Sequence, residues 1–214
     1  MGEKERWDEL HAERKLHYPN EDVVRFVMRN WQTHRKGLTA LDLGCGSGRH
    51  LVYLAKEGFQ VCGVDLSAVA LANAEQFMQG AGVSGELKWA SLDQIPYPDK
   101  YFDLVIAWEA VHYGNLEFGQ RAGKEIYRVL KPLGRLFISL RNREDSHRGR
   151  ESGEENTYVG VEYEEGLLIH RYSQEEALAI LSDFEIVCVD RFLWTRNNQT
   201  QVNASFVIEA MRAV

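Results

Sequence analysis

The chain has 214 residues, of which 44% are hydrophobic and 27% charged, and its formal net charge is −7. This length predicts one domain with a sizeable core, and the acidic balance does not favour a nucleic acid or an anionic membrane as partner. The three cysteines, Cys45, Cys62 and Cys188, lack metal-ligand spacing, so we expect neither a disulfide framework nor a metal site. The polar first residues and the absence of a long apolar stretch predict a cytoplasmic protein.

Residues 1–36 are predicted to form a helical segment that precedes the main domain. A charged helix extends to about Leu16, and Pro19 then interrupts it. Asn20 is suited to cap a second helix, because its side chain can accept a hydrogen bond from a free backbone N–H. The second helix carries an apolar stripe at helical spacing, formed by Val23, Phe26, Val27 and Trp31.

Residues 37–214 are predicted to form the main domain, in which strands and helices alternate. Short apolar runs near residues 38–43, 59–64, 86–90, 102–108 and 135–140 indicate strands, and amphipathic segments lie between most of them. Alternation of this kind predicts a parallel sheet that is covered on both faces by helices. In such sheets ligands bind at the carboxyl ends of the central strands.

The last third of the chain departs from this alternation. Residues 141–156 are polar and predict a mobile loop, and residues 158–169 suggest a hairpin, so we expect a variable insertion at about 141–170. Ser173 and Glu176 have the spacing of a capping box that opens a helix. Two final strands are expected at about 184–194 and 201–211.

A glycine-rich loop follows the first predicted strand. Gly44, Gly46 and Gly48 allow a tight turn and close approach of a ligand, and the next helix directs its free N–H groups toward the same place. Arg49 stands where the dinucleotide fingerprint G-x-G-x-x-G requires its third glycine, which argues against a pyrophosphate ligand. Asp65 ends the second strand about 20 residues later, at the distance where a carboxylate meets ribose hydroxyls.

The run from Asp42 to Gly48, Asp-Leu-Gly-Cys-Gly-Ser-Gly, resembles the first motif of class I S-adenosylmethionine-dependent methyltransferases of the type 11/25 kind. Residues 95–103 resemble the family phrase LPF-x-D-x-x-FD, and residues 125–135 resemble its RVLKPGG turn, with Leu133 in place of a glycine. The resemblance implies a Rossmann-like three-layer α/β sandwich. Its mostly parallel seven-stranded sheet would have the last strand antiparallel. The implied cofactor is S-adenosylmethionine, and the implied product is S-adenosylhomocysteine.

The resemblance also implies which residues hold the cofactor. Asp42 would serve the ammonium of the methionine end, and Asp65 the ribose. Adenine would be contacted either by Ser91 with the backbone at Leu92 or, if the loop is shifted, by Asp93. Trp108 would pack near the sulfonium, although plain core packing also explains it. The full cofactor-binding set is Asp42, Gly44, Cys45, Gly46, Gly48, Asp65, Leu66, Ser91, Leu92, Asp93 and Trp108.

The expected reaction is in-line methyl transfer to a small-molecule acceptor, which is predicted to bind between residues 109–116, residues 141–165 and the N-terminal segment. A base is needed only where the acceptor must lose a proton. His112 follows the fourth strand and is the first candidate, with Glu109 and Tyr113 as further ones. Trp7 and Tyr18 are candidate lid residues, by resemblance to related enzymes. Carbon, nitrogen, oxygen and sulfur acceptors all remain open.

Two other functions are compatible with parts of this pattern. A non-catalytic module could keep the cofactor pocket and act on a partner protein, since fold and pocket do not establish catalysis. An NAD-dependent oxidoreductase would share Asp65, but it would carry glycine at position 49 and a catalytic Tyr-Lys or His-Asp pair. The protein is expected to act as a monomer or a homodimer.

Overall fold

A computed structural model describes residues 2–32, 35–146, 149–161 and 164–214. Six helices and ten strands are found in these ranges. In chain order they are α1 (Glu3–Glu13), α2 (Glu21–Asn30), β1 (Thr39–Leu43), α3 (Arg49–Lys56), β2 (Gln60–Asp65), α4 (Ala68–Gly80), β3 (Glu86–Trp89), β4 (Phe102–Ala107), α5 (Leu116–Val129), β5 (Leu130–Arg141), β6 (Gly149–Glu151), β7 (Thr157–Gly160), β8 (Leu168–His170), α6 (Gln174–Ala179), β9 (Glu185–Arg196) and β10 (Gln201–Met211).

The main sheet has seven strands in the order β3-β2-β1-β4-β5-β10-β9. The pairs from β3 to β5 are parallel, while β10 is antiparallel to both of its neighbours, β5 and β9. This arrangement confirms the predicted Rossmann-like fold with its last strand antiparallel. The order of the strands reverses between β1 and β4, so a crevice opens at their carboxyl ends.

Helices cover both faces of this sheet, because successive side chains of its central strands alternate between two apolar clusters. Leu41 of β1 and Val105 of β4 belong to one cluster, which includes residues of α5 and α6. Ala40 and Leu104, their neighbours in the chain, belong to the other, which includes residues of α2 and α3. A strand that is buried on both faces reads as a continuous apolar run, as β1 and β4 do.

The insertion differs in part from the expectation. Gly149–Glu151, within the predicted loop, forms strand β6, which pairs antiparallel with β7, and β8 completes a small three-stranded sheet. Residues 147 and 148 of the loop and 162 and 163 of the hairpin lie outside the described residues. The capping box is confirmed, because Ser173 accepts from the Glu176 backbone N–H and Glu176 accepts from that of Ser173.

Leu133 adopts a left-handed backbone conformation with φ +63° at the turn early in β5. A leucine there is strained relative to the glycine that the family phrase carries. The side chain is largely exposed, and the backbone N–H donates to the carbonyl oxygen of Arg212 at 2.8 Å. None of the helices in the described ranges has the length and apolar character needed to cross a membrane.

Candidate active site

A cavity of about 900 Å³ opens at the carboxyl ends of β1, β2 and β4. Its volume falls within the range of roughly 300–1,000 Å³ that small-molecule sites occupy. Helix α1 lies over one end, and the hairpin of β9 and β10 borders the other. Both polar and aromatic side chains line it, so it can hold an amphipathic ligand.

The glycine loop forms one wall of the cavity. Gly44 and Gly46 line it, with φ of +76° and +51°. A Cβ on Gly44 would lie 2.6 Å from the Cβ of Ala110, so the loop packs as closely as a bare backbone allows. Gly48 departs from its expected role, because it does not line the cavity. A Cβ there would meet Ala74 at 3.0 Å, so this glycine permits the close packing of α3 and α4.

Asp42 and Cys45 belong to the same loop region but differ in their position relative to the cavity. Cys45 lines the cavity, and burial raises the pKa of its thiol well above the ordinary value, so the thiol stays protonated. The Asp42 side chain is buried beneath the loop, with Oδ1 3.6 Å from Nδ1 of His50. Within the described part of the chain, Asp42 Oδ2 has no hydrogen-bond partner. Asp42 does not itself line the cavity, and its charge acts on the guanidinium of Arg49, which does.

Asp65 joins the end of β2 to the glycine loop. Its Oδ2 accepts from the Gly46 backbone N–H at 2.8 Å, and its Oδ1 accepts from the Ser67 N–H at 2.9 Å. A carboxylate oxygen can accept more than one hydrogen bond, so each retains capacity for a ribose hydroxyl. Burial raises the pKa of Asp65, and the nearby His11 opposes this shift. Leu66 also lines the cavity.

The loop after β3 distinguishes the two alternatives for adenine. Ser91 and Leu92 line the cavity. Asp93 does not line it, because one of its carboxylate oxygens accepts from Ser91 Oγ at 2.5 Å and the other accepts from Arg121 Nε at 2.8 Å. The geometry therefore favours Ser91 and the backbone at Leu92, with Asp93 orienting the Ser91 hydroxyl.

The residues that follow β4 lie at the centre of the cavity wall. Trp108 lines it and stacks on Phe137, with ring centroids 5.7 Å apart. Glu109 has a left-handed backbone with φ +52°. Its N–H donates to Ser139 Oγ at 2.7 Å, and its Oε1 accepts from the hydroxyls of Ser139 at 3.0 Å and Ser205 at 3.3 Å. The Glu109 carboxylate is thus held in a fixed orientation in the cavity wall.

His112 does not reach the cavity, which corrects the expectation that it is the first candidate for a base. Its side chain is 0% exposed, and neither ring nitrogen has a hydrogen-bond partner among the described residues. Burial, followed by the charge of Arg141, holds the pKa of His112 well below its ordinary value. Tyr113 lines the cavity instead, and its hydroxyl donates to Glu164 Oε1 at 2.7 Å.

Helix α1 closes over the cofactor end of the cavity. Trp7 packs edge-on against Tyr113, with ring centroids 4.8 Å apart, and His11 lies beside Gly46. Asp8 fastens the helix, because it accepts from Ser67 Oγ at 2.6 Å and from the Val69 N–H at 3.2 Å. Trp7 thus lies where a lid residue is expected, whereas Tyr18 projects into solvent with 86% of its surface exposed.

Two further groups of residues line the cavity, of which the first lies within the predicted acceptor segment 141–165 and the second was not anticipated. Arg141 pairs with Glu164 through two hydrogen bonds, at 2.9 and 3.0 Å, in the wall beside Tyr113. Alternate residues of β9 also face the cavity. The only sequence signal for this second group is the every-other-residue spacing of large side chains near the end of that strand, namely Phe192, Trp194 and Arg196.

Comparison with known proteins agrees with this geometry. Residues 41–138 match a family model described as a methyltransferase domain. A sterol 24-C-methyltransferase from Pneumocystis carinii is 30% identical over 162 residues, which cover 72% of this chain and 41% of the relative. A ubiquinone biosynthesis O-methyltransferase from a Bradyrhizobium species is 34% identical over 131 residues, which cover 60% of this chain and 51% of the relative. The chain thus spans about half, or less, of these curated relatives.

The fold also matches solved structures. A SAM-dependent methyltransferase from Methanosarcina mazei superimposes with a TM-score of 0.75 at 22% identity, covering 92% of this chain and 99% of that one. The described residues therefore form a Rossmann-like fold with a cavity at the carboxyl ends of its central strands. More particularly, this chain is similar to S-adenosylmethionine-dependent methyltransferases, over residues 41–138 in the methyltransferase model and over most of its length in fold. Its acceptor, oligomeric state and compartment stay predictions.

Proposed function

We propose that this protein transfers a methyl group from S-adenosylmethionine to a small-molecule acceptor. The observation that carries the proposal is that two kinds of groups line one cavity. Gly46 and Asp65 can hold a nucleoside, and the carboxylate of Glu109 is fixed in the wall of the same cavity. A cofactor and an acceptor can therefore lie in the same cavity.

The glycine loop and Asp65 fit the cofactor. Gly44 and Gly46 leave bare backbone for its methionine portion, and the remaining lone pairs of Asp65 suit the ribose. Asp42 would act on the ammonium only from beneath the loop, since it does not line the cavity. When bound, S-adenosylmethionine supplies an electrophilic methyl group.

The protein's own contribution is to align the acceptor and to exclude water. Alignment of two bound reactants replaces a bimolecular encounter and lowers the barrier to an in-line displacement. Helix α1, fastened through Asp8 and packed through Trp7, covers the cavity at the cofactor end.

Glu109 receives the acceptor's proton, where the acceptor carries one. Its Oε1 is occupied by the two serine hydroxyls, which leaves Oε2 to accept from a hydroxyl or amine in the cavity. His112 Nε2 lies 4.0 Å from that oxygen, and the lowered pKa of His112 keeps the imidazole neutral. The names of the sterol and ubiquinone relatives support small organic acceptors.

The first test is calorimetry with S-adenosylhomocysteine and with NAD⁺. We expect binding of the first alone, and binding of NAD⁺ alone would contradict the proposal. The second test incubates the protein with S-adenosylmethionine and a small-molecule extract and measures S-adenosylhomocysteine. Cofactor binding without product above the protein-free rate would instead indicate a non-catalytic module.

The role of Glu109 is tested by Glu109→Gln once an acceptor is found. We expect kcat to fall at least tenfold while the affinity for S-adenosylhomocysteine stays within twofold of wild type. Glu117→Gln is the matched control, because Glu117 lies exposed on α5 and pairs with Arg121. An unchanged kcat in Glu109→Gln would remove the proposed proton acceptor but leave methyl transfer intact.

A further inference from the structure

One face of the β9–β10 hairpin lines part of the cavity. Phe192, Trp194 and Arg196 of β9 all line the cavity, and we call these three residues the aromatic ledge. Side chains two apart in a strand point to the same face, so the ledge extends along β9 in steps of about 6.8 Å. Phe192 and Trp194 are 43% and 47% exposed, so part of each ring is accessible to a ligand.

The partner strand supplies polar groups beside each ledge residue. Ser205, Asn203 and Gln201 lie opposite Phe192, Trp194 and Arg196 in the antiparallel register. These three polar residues also line the cavity. This face of the hairpin therefore offers rings along one strand and hydrogen-bonding groups along the other, which suits a ligand that is apolar over most of its body.

Ser205 connects this face of the hairpin to the proposed reaction centre. It lies opposite Phe192 in the register, and its hydroxyl donates to Glu109 Oε1 at 3.3 Å. A bound molecule whose hydroxyl or amine contacts Glu109 would therefore lie next to Phe192. The rest of that molecule could extend along β9 and contact the rings of Phe192 and Trp194.

The outer end of the ledge is closed by a cation. The guanidinium carbon of Arg196 lies 4.0 Å from the ring centroid of Trp194. This cation–π contact fixes the orientation of the Trp194 indole, so that one face of the ring forms a rigid apolar surface. Fixed aromatic surfaces contribute to binding mainly by stacking with flat, apolar partners.

We infer that the aromatic ledge is the acceptor subsite, and that it takes a ring-bearing, largely apolar molecule whose hydroxyl or amine is directed to Glu109. This inference rests on the proposed function and specifies the acceptor class for it. In the reaction, the acceptor's oxygen or nitrogen gains the methyl carbon, its proton passes to Glu109, and the sulfur keeps the electron pair of the broken bond.

The test measures binding of 2-naphthol to the protein saturated with S-adenosylhomocysteine, by equilibrium dialysis. Trp194→Thr removes a ledge ring while retaining a good strand former, and we expect it to raise the Kd of 2-naphthol at least fivefold. Leu193→Thr is the matched control. Leu193 is the next residue of the same strand, is 50% exposed and does not line the cavity. Its Kd should stay within twofold of wild type.

The proposal that the aromatic ledge binds the acceptor would be contradicted if both substitutions changed the Kd equally. It would also be contradicted if the wild type bound no measurable 2-naphthol. Calorimetry with S-adenosylhomocysteine on the same samples separates the two proposals. If that ligand binds and the ledge variant has no effect, only the subsite is wrong. If it fails to bind the wild type, the proposed function fails, and the same two variants then test the ledge in the free protein.

Discussion

The carboxylate of Asp65 accepts a hydrogen bond from the backbone N–H of Gly46, with 2.8 Å between Oδ2 and the nitrogen. This contact ties the end of one strand to the loop that follows its neighbour in the sheet. The groups that would hold the sugar and the methionine portion are therefore parts of one connected structure.

Replacing Asp65 by alanine is expected to weaken S-adenosylhomocysteine binding by about 1.5–3 kcal/mol, since hydrogen bonds to a charged group are lost. Isothermal titration calorimetry measures this change. Asp99→Ala is the control, because the Asp99 side chain is 71% exposed and pairs with Arg128. Full affinity in Asp65→Ala would show that the ribose lies elsewhere.

Gly44→Ala should lower the free energy of unfolding more than Gly82→Ala does. Both glycines have left-handed backbones, with φ of +76° and +70°. The backbone strain alone costs an L-residue about 1–2 kcal/mol. Only at Gly44 would the new methyl meet another side chain, 2.6 Å from the Ala110 Cβ, and overpacking adds about 1–3 kcal/mol. Urea unfolding measures both variants, and equal losses would contradict the packing argument.

Asp8→Asn should loosen helix α1 and speed the release of S-adenosylhomocysteine by about three- to tenfold. The hydrogen bond from Ser67 lowers the pKa of Asp8, so a charged carboxylate fastens the helix at neutral pH. Loss of a hydrogen bond to a charged group costs about 1.5–3 kcal/mol when buried and less at this partly exposed site. Stopped-flow displacement measures the rate. Glu9→Gln on the same helix should leave it unchanged, because Glu9 pairs only locally, with Arg6.

His112 should make folding stability fall as the pH drops below about 6.5, the ordinary histidine pKa. Burial lowers the folded-state pKa of His112, so below pH 6.5 the unfolded chain binds a proton that the folded protein does not. One such group removes at most about 1.4 kcal/mol of stability per pH unit. Burial also lowers the pKa of His11 and His170, which adds to the slope. In urea unfolding between pH 7.5 and 5, the free energy of unfolding of His112→Phe should fall less steeply than that of wild type. An identical fall would show that groups other than His112 cause the pH dependence.

The cofactor end was largely predictable from the sequence, because its determinants are local. Glycines that follow a buried strand reveal a tight turn, and the distance from Gly44 to Asp65 reveals the next strand end. Asp42, Gly48 and Asp93 are exceptions, because none of them lines the cavity. At Gly48 the requirement for small size comes from contact with Ala74 on a different helix. That contact depends on how α3 and α4 pack, which spacing alone does not specify.

The acceptor end was predicted less well, because two nonlocal features determine it. The left-handed backbone of Glu109 redirects the chain after β4, so that Glu109 and Tyr113 line the cavity while His112 is buried. A glutamate gives no sequence signal for such a conformation. The contribution of Trp194 depends on the register of β9 against β10, which is fixed only when the whole sheet assembles.

The hydroxyl of Ser205 reaches Glu109 from 96 residues further along the chain. The residues proposed to hold the nucleoside of the cofactor all precede residue 93, whereas the residues of the aromatic ledge belong to the final hairpin, β9–β10. Mutations in that hairpin can therefore alter which molecules are accepted without disturbing the parts that hold the methyl donor. Proteins with this arrangement can change their acceptor through substitutions in one C-terminal hairpin while they keep the same methyl donor.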